Sequence, residues 1–404
     1  MFYWKRGPEP GRMGASITIM SILSDRLSEE ILQARQRVYT VGEPTPLQRL
    51  NLPGIKAPVY AKREDLGPIR AYKWRGAFNC MAALSQEARD KGIVAASAGN
   101  HAQGVALAAS VLNCHATIFM PRSTPEVKQT EVRRHGGRHV KIMLHGDCYD
   151  ETAAAAHEYA ETHGSTFVHP YDDLVTMAGQ GTLADEVVMS GEGPFDRAYV
   201  AIGGGGLAAG VSTLAKLLNP NVKVIGVEPE GAACMKASLE AGHVVTLPTA
   251  NTIADGVAVK TPGDLVFPYV QNNVDHIITI PDAELVEAFL DVMEKHKMVV
   301  ENSGLLTVAA LKHLDFQGKN VVSVLSGGNM DVITMASLVQ HGLIIRGRIF
   351  TFSVLLPDRP GELMRVSALL AKHNGNIIKL EHNQFVNINR QNGVELKVTL
   401  EAFG

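Results

Sequence analysis

The sequence predicts an α/β protein built on parallel sheets with crossover helices, followed by a smaller α+β unit. Short β-rich runs alternate with helix-length segments through most of the chain, the pattern of parallel strands joined by helices. The runs are near-continuously apolar, as strands covered on both faces are. At 404 residues the chain also exceeds the usual size of one domain.

The elements follow in order. Residues 1–19 read as a disordered extension, with Met13 and Met20 as alternative starts. Lys5, Arg6 and Arg12 precede the apolar run ITIMSIL (17–23), but no A-x-A-like site follows it, so an export signal is not expected. Strands are predicted at PVYAKRE (58–64), GIVAAS (92–97), HATIFMP (115–121), HVKIMLH (139–145), RAYVAIG (197–203), VKVIGVE (222–228), HIITIP (276–281) and NVVSVLS (320–326). Helices are predicted over KWRGAFNCMAAL, HAQGVALAASVLN, CYDETAAAAHEYAETHG, LAAGVSTLAKLLN and NMDVITMASLVQHG. A main unit over 20–345 and a tail over 348–404 result. The tail reads strand, turn, helix, strand, and VELKVTLEAF adds a further strand.

Composition narrows the function classes. Lys and Arg number 38 against 41 Asp and Glu, a net charge of -3, so no basic field attracts nucleic acid or anionic lipid. No stretch approaches the roughly 18 apolar residues of a membrane span. Cys80, Cys114, Cys148 and Cys234 lie far apart without C-x-x-C spacing, which reads as buried, reduced thiols in a cytoplasmic protein. The expected partners are small molecules and further copies of the chain.

Ligands on parallel sheets sit beyond the carboxyl ends of the strands, and three strand ends are informative. Ser97, Ala98, Gly99, Asn100 and His101 form a turn into a helix whose unpaired N–H groups would receive a carboxylate or phosphate; an ordinary Ser/Asn cap explains the same residues. Gly203, Gly204, Gly205 and Gly206 form a strand-to-helix loop free of Cβ atoms, suited to a phosphate group or to a tight packing turn. Gly204, Gly206 and Ala209 also satisfy G-x-G-x-x-A, with Glu228 where a ribose-binding acid belongs, so a nicotinamide-dependent dehydrogenase stands as an alternative. Ser326 ends a third strand, where its hydroxyl either faces a ligand or shapes a turn.

Lys73 begins a helix after a loop, between Tyr72 and Trp74, and its amine can project into the cleft at the strand ends. A desolvated lysine near positive helix ends has a depressed pKa and is a good nucleophile toward an aldehyde. A reactive lysine with a phosphate cradle calls for pyridoxal phosphate.

Six stretches now carry a resemblance: AKREDLGPIRAYKWRGAFN, ASAGNHAQGVA, AGQGT, GGGGLAAGV, ADGVAV and SGGNMD. Together, from about residue 25 to 345, the chain resembles the threonine/serine dehydratases, pyridoxal-phosphate enzymes of the tryptophan-synthase-β-like fold (fold type II). The resemblance implies two parallel-sheet lobes, the smaller inserted at roughly 65–165. It implies that Lys73 is joined covalently to the cofactor and that Asn100 hydrogen-bonds the ring hydroxyl. Gly203 to Gly206 and Leu207 would hold the phosphate, and Ser326 would meet the pyridine nitrogen. The loop Ser97 to His101 would grip the substrate carboxylate, the substrate being threonine, serine or another hydroxy amino acid. The products would be 2-oxobutanoate or pyruvate, with ammonia.

Departures from the relatives shape the alternatives. Serine racemases carry a second serine where this chain has Ala98, which disfavours racemisation; 3-hydroxyaspartate dehydration stays open. A cation site of those relatives keeps Glu228 here but has Cys234 in place of an aspartate, so no metal is expected. ENSG at 301–304 replaces the commoner EPAG. The tail resembles an ACT domain, with DRPGEL after its first strand, which implies an amino-acid effector; the last helix and strand of that module are missing, and a packing appendage is the plainer reading. A noncatalytic amino-acid sensor is opposed by the intact Lys73. A homodimer or homotetramer would cover the tail's open sheet edge.

Overall fold

The computed structural model describes residues 26–313, 318–383 and 393–402. The predicted extension at 1–19 lies outside the described residues. Two compact units divide the chain, one ending at Met330 and one beginning at Asp331.

The first unit opens with helix α1 (26–38), strands β1 (Leu47–Leu50) and β2 (Val59–Arg63) and helix α2 (Lys73–Ala83). Next come α3 (Gln86–Asp90), β3 (Ile93–Ala96), α4 (Asn100–Val111), β4 (Ala116–Met120), α5 (Glu126–Gly136), β5 (Val140–Leu144), α6 (Tyr149–His163) and β6 (Thr166–Phe167). Then follow α7 (Leu174–Met189), β7 (Arg197–Ala201), α8 (Gly206–Leu218), β8 (Lys223–Pro229), α9 (Cys234–Ala241), α10 (Phe267–Asn273), β9 (His276–Ile280), α11 (Asp282–His296), α12 (Asn302–Ala309) and β10 (Val321–Leu325).

Two sheets result. The larger runs β1-β2-β10-β7-β8-β9 and the smaller, inserted between β2 and β7, runs β5-β4-β3-β6. Every pairing in both is parallel except β1 with β2. The chain is an α/β protein with two parallel-sheet lobes, as the resemblance implies. All eight predicted strands form, each within a residue or two of its expected bounds. The sequence reading missed β1, an antiparallel edge strand whose apolar and polar residues do not form a continuous run, and β6, two residues long.

Glycines set the seat of α2. A Cβ at Gly179 of α7 would lie 2.5 Å from the Arg75 carbonyl oxygen and 2.7 Å from Gly76 Cα, and one at Gly104 of α4 would lie 3.1 Å from the Lys73 carbonyl oxygen. On the other side of α7, a Cβ at Gly210 of α8 would come 2.4 Å from the Met177 carbonyl oxygen and 2.8 Å from the Gly181 amide. Helices α2, α4, α7 and α8 therefore touch backbone to backbone, which explains physically why AGQGT carries its glycines. The first turn of α2 has little room to move.

The second unit contains α13 (Val332–Ile345), β11 (Ile349–Leu356), α14 (Glu362–Lys372), β12 (Gly375–Asn383) and β13 (Val394–Ala402). Its strands form an antiparallel sheet in the order β11-β13-β12. Leu356, Leu396, Val398 and Leu400 make its core, against which Val366 and Leu370 of α14 pack. The strand, turn, helix, strand, strand order expected of the tail is present. Helix α13, placed in the main unit by sequence, groups with this sheet.

The cysteines are free, but Cys148 is exposed rather than buried, because it precedes the first turn of the surface helix α6. No helix among the described residues is long and apolar enough to cross a membrane.

Candidate active site

Lys73 is the first residue of α2 and its Nζ donates to the Pro170 carbonyl oxygen at 2.8 Å. Burial pulls its pKa down to about 8 against the opposing pull of the Glu301 carboxylate, so the neutral, nucleophilic amine is far more populated near neutral pH than for an ordinary lysine, though still the minor form. The backbone around it is tied to the third strand end. Tyr72 N donates to the Ser326 carbonyl oxygen at 3.0 Å, and Ala71 bridges Gly327. Ser326 itself is buried at the carboxyl end of β10.

The four glycines stand one residue beyond Pro170 in space. A Cβ at Gly204 would strike ring carbons of Tyr171 at 2.4 Å, and one at Gly206 would lie 2.8 Å from the Tyr171 carbonyl oxygen. Gly205 has φ +100 and caps α8 with no side chain, and a Cβ at Gly203 would approach Val257 Cα to 3.0 Å. None of these positions has free room for a side chain. The loop is bare backbone at the positive end of α8, an arrangement with which a phosphate group is chemically compatible, and near it stands an amine able to condense with an aldehyde. Leu207, in the first turn of α8, is buried.

The loop Ser97 to His101 joins this site through Asn100. Ser97 Oγ accepts from Gly99 N at 3.2 Å, closing the turn, and Ala98 packs partly on the apolar core of the smaller lobe. The Asn100 amide reaches the carboxylate of Glu301, whose own N donates to the Gly327 carbonyl oxygen at 3.0 Å. His101 differs: its ring is buried and its Nε2 meets the Val168 carbonyl oxygen at 2.9 Å, with burial and the Lys73 charge holding it neutral at a pKa of about 3. Of the five loop residues, His101 turns its side chain inward.

Sequence reasoning did not assign Glu301, Asn329, Pro170 or Tyr171 to the site. The ENSG departure pointed at the first of these, without its role. Asn329 lies in SGGNMD, read only for Ser326; for Pro170 and Tyr171 no local pattern signals a site, and the turn that carries them is held by His169 Nδ1, which accepts from Asp172 N at 2.7 Å.

Glu228 overturns the dinucleotide alternative. Its carboxylate is buried and accepts from Met235 N and Lys236 N, each at 2.8 Å, at the start of α9, so it is committed to that helix rather than to a ribose. Cys234 Sγ lies 3.8 Å from the Gly203 carbonyl oxygen. Burial outweighs the two amides and lifts the Glu228 pKa to about 7. The folded chain then keeps a proton that the unfolded chain loses between the ordinary carboxylate range and about 7, so stability declines as pH rises through that window. Urea unfolding across the window should show a shallower decline for Glu228→Gln than for the wild type; equal slopes would contradict this account.

Comparison with known proteins agrees with the geometry. Residues 38–327 match the family described as pyridoxal-phosphate dependent enzyme. The chain is 42% identical over 327 residues to an L-threonine ammonia-lyase of Thermotoga maritima, covering 81% of this chain and 80% of that protein. It is 40% identical over 372 residues to the L-threonine dehydratase biosynthetic IlvA of Bacillus subtilis, covering 91% and 88%. Its fold is similar to the processed form of threonine deaminase isoform 2 from Solanum lycopersicum, with a TM-score of 0.72 and 37% identity over 78% of this chain and 93% of that one.

Proposed function

Because the chain belongs to the pyridoxal-phosphate dependent enzyme family, we propose that it converts L-threonine to 2-oxobutanoate and ammonia and, more weakly, L-serine to pyruvate and ammonia. It is a carbon-nitrogen lyase of the threonine dehydratase type. The observation that carries this reading is the buried Lys73 amine beside a loop of four glycines with no space for side chains.

When bound, pyridoxal phosphate supplies an aldehyde to hold the substrate nitrogen and a ring to take up the electrons of the broken Cα–H bond. Lys73 would hold the cofactor and, once free, take the Cα proton as general base, a role that suits an amine titrating at about 8. Gly203, Gly204, Gly205, Gly206 and Leu207 would hold the phosphate through backbone N–H groups at the start of α8, and Asn100 would hold the ring hydroxyl. Ser326 would meet the ring nitrogen. A neutral hydroxyl there would not stabilise a full positive charge on that nitrogen, which would favour loss of the β-hydroxyl over accumulation of charge. The turn Ser97 to His101 would receive the substrate carboxylate on its backbone, and Ala98, lacking a hydroxyl, offers no proton to the opposite face of Cα. The net change balances: threonine loses water, and hydrolysis of the resulting enamine returns it and releases ammonia.

The tail suits an amino-acid effector. Its loop from Pro357 to Gly361 lines, with His382, a cavity of about 280 Å³. We place the enzyme in the cytoplasm as a homodimer or homotetramer, a reading supported by its free thiols and by the edge strands β11 and β12, which have no second strand partner among the described residues.

Ammonia release from purified, cofactor-loaded protein should be measured over a panel of hydroxy amino acids. Threonine is expected first and serine second, with no D-serine formed from L-serine. Activity confined to a non-hydroxylated amino acid would overturn the assignment.

A further inference from the structure

Glu301 caps α12 in sequence, yet its side chain makes no capping bond to that helix. Instead Oε1 and Oε2 lie 2.9 and 3.0 Å from Asn100 Nδ2. On the opposite side of the same amide, Asn100 Oδ1 accepts from Asn329 Nδ2 at 2.8 Å, and that nitrogen also donates to the Ile69 carbonyl oxygen at 2.7 Å. The network permits one orientation of the Asn100 amide. Flipping it would set an oxygen against a carboxylate and a nitrogen against a donor.

Glu301 is buried, 7% exposed, and a Cβ at Gly327 would lie 2.5 Å from its Oε1, so the carboxylate has little freedom to leave. It sits beside the segment that leads into α2, since the same Cβ would lie 3.0 Å from Ala71 Cβ; its charge acts on Lys73 and Tyr72, and the charges of Asp255 and Lys128 act on it. Burial raises the Glu301 pKa to about 7, while the Asn100 hydrogen bond opposes that rise.

We propose that Glu301 is a positioning residue for the lyase reaction: with Asn329 it holds the Asn100 amide in one orientation, and its carboxylate, packed beside the segment that leads into α2, supplies a negative charge that acts on the Lys73 amine. The proposal rests on the reading of Lys73 and Asn100 as cofactor-binding residues. It gives a conserved-shape substitution a measurable signature, because removing the anion leaves only burial acting on Lys73, and the amine becomes neutral at lower pH.

The test uses cofactor-stripped full-length protein. Pyridoxal phosphate is added across a pH series, the bond is trapped with borohydride, and label at residue 73 is read by peptide mass mapping. Label should rise with pH in the wild type, as the amine loses its proton. In Glu301→Gln the midpoint should fall by about one pH unit. In Asn100→Ala, where the carboxylate loses the amide that favours its charge, the midpoint should fall by less. Midpoints equal to the wild type in both variants would overturn the proposal while leaving the lyase reading intact. If Glu301→Gln does not fold, an unshifted Asn100→Ala alone overturns it. Absence of label at residue 73 in the wild type would instead remove the cofactor reading on which the proposal rests.

Discussion

Replacing Lys73 by alanine is expected to lower kcat for threonine by at least about 10³-fold, the scale of losing a positioned general base, and to abolish borohydride-trapped label on the peptide containing residue 73. The loss should be chemical rather than structural. The Lys73 side chain gives up one hydrogen bond, to the Pro170 carbonyl oxygen at 2.8 Å, while the close contacts that seat α2 involve the backbone of Lys73, Arg75 and Gly76. The urea midpoint should therefore move little. Lys73→Arg sharpens the test, because arginine keeps the positive charge but does not deprotonate and so fails as nucleophile and base. Threonine turnover above one-tenth of wild type in either variant would remove Lys73 from the centre of the reaction.

The second large effect lies two residues further along α2. Arg75 is fully buried, with Nε 2.8 Å from Glu64 Oε2, Nη2 3.0 Å from both Glu64 Oε1 and Glu186 Oε2, and Nη1 3.1 Å from Thr182 Oγ1. Lys62, also buried, contacts Glu186 and Thr45, and Tyr39 Oη donates to Glu186 Oε1 at 2.8 Å. Two buried cations thus balance two buried carboxylates. Burial alone would raise the Glu64 pKa, but Arg75, Lys62 and Thr45 together bring it below the usual carboxylate value. Its stabilising contribution is present above the unfolded-chain pKa and is lost as pH falls through the lower, folded-state value.

Arg75→Met leaves two buried carboxylates facing one ammonium. Breaking such a buried set by removing one partner costs about 3–5 kcal/mol, so the urea midpoint should drop sharply at neutral pH. Adding Glu186→Gln to that variant restores the charge balance and should recover part of the loss, a departure from additivity expected of groups in one network. If the double variant proves as unstable as the sum of the two single ones, electrostatic balance is not what holds this cluster. Because Arg75 follows Lys73 on the same helical turn, the cluster also anchors the helix that presents the amine.

Much of this protein was legible without its fold. The strands announced themselves as apolar runs because both faces of a parallel sheet are covered, and Lys73, Asn100, Gly203 to Gly206 and Ser326 stood out because each follows a strand, where such sheets bind ligands. Those signals are local in sequence. What the local pattern did not contain was pairing across distance. Glu301 reaches Asn100 over a separation of 201 residues, Arg75 reaches Glu186 over 111, and the buried ring of His101 reaches a carbonyl 67 residues on. Glu228 looked like a ribose ligand by spacing and became a helix anchor once α9 folded over it.

The sequence by itself determined the layered α/β architecture, the run of four glycines without Cβ atoms and the lysine that opens α2, since periodicity, missing Cβ atoms and residue type are properties of short segments. The tertiary structure alone decided which carboxylate acts on the amine, which way the Asn100 amide points and what balances Arg75. Those follow from burial, which makes an unpaired charge or donor costly and so selects partners that only the packed chain brings within hydrogen-bonding reach.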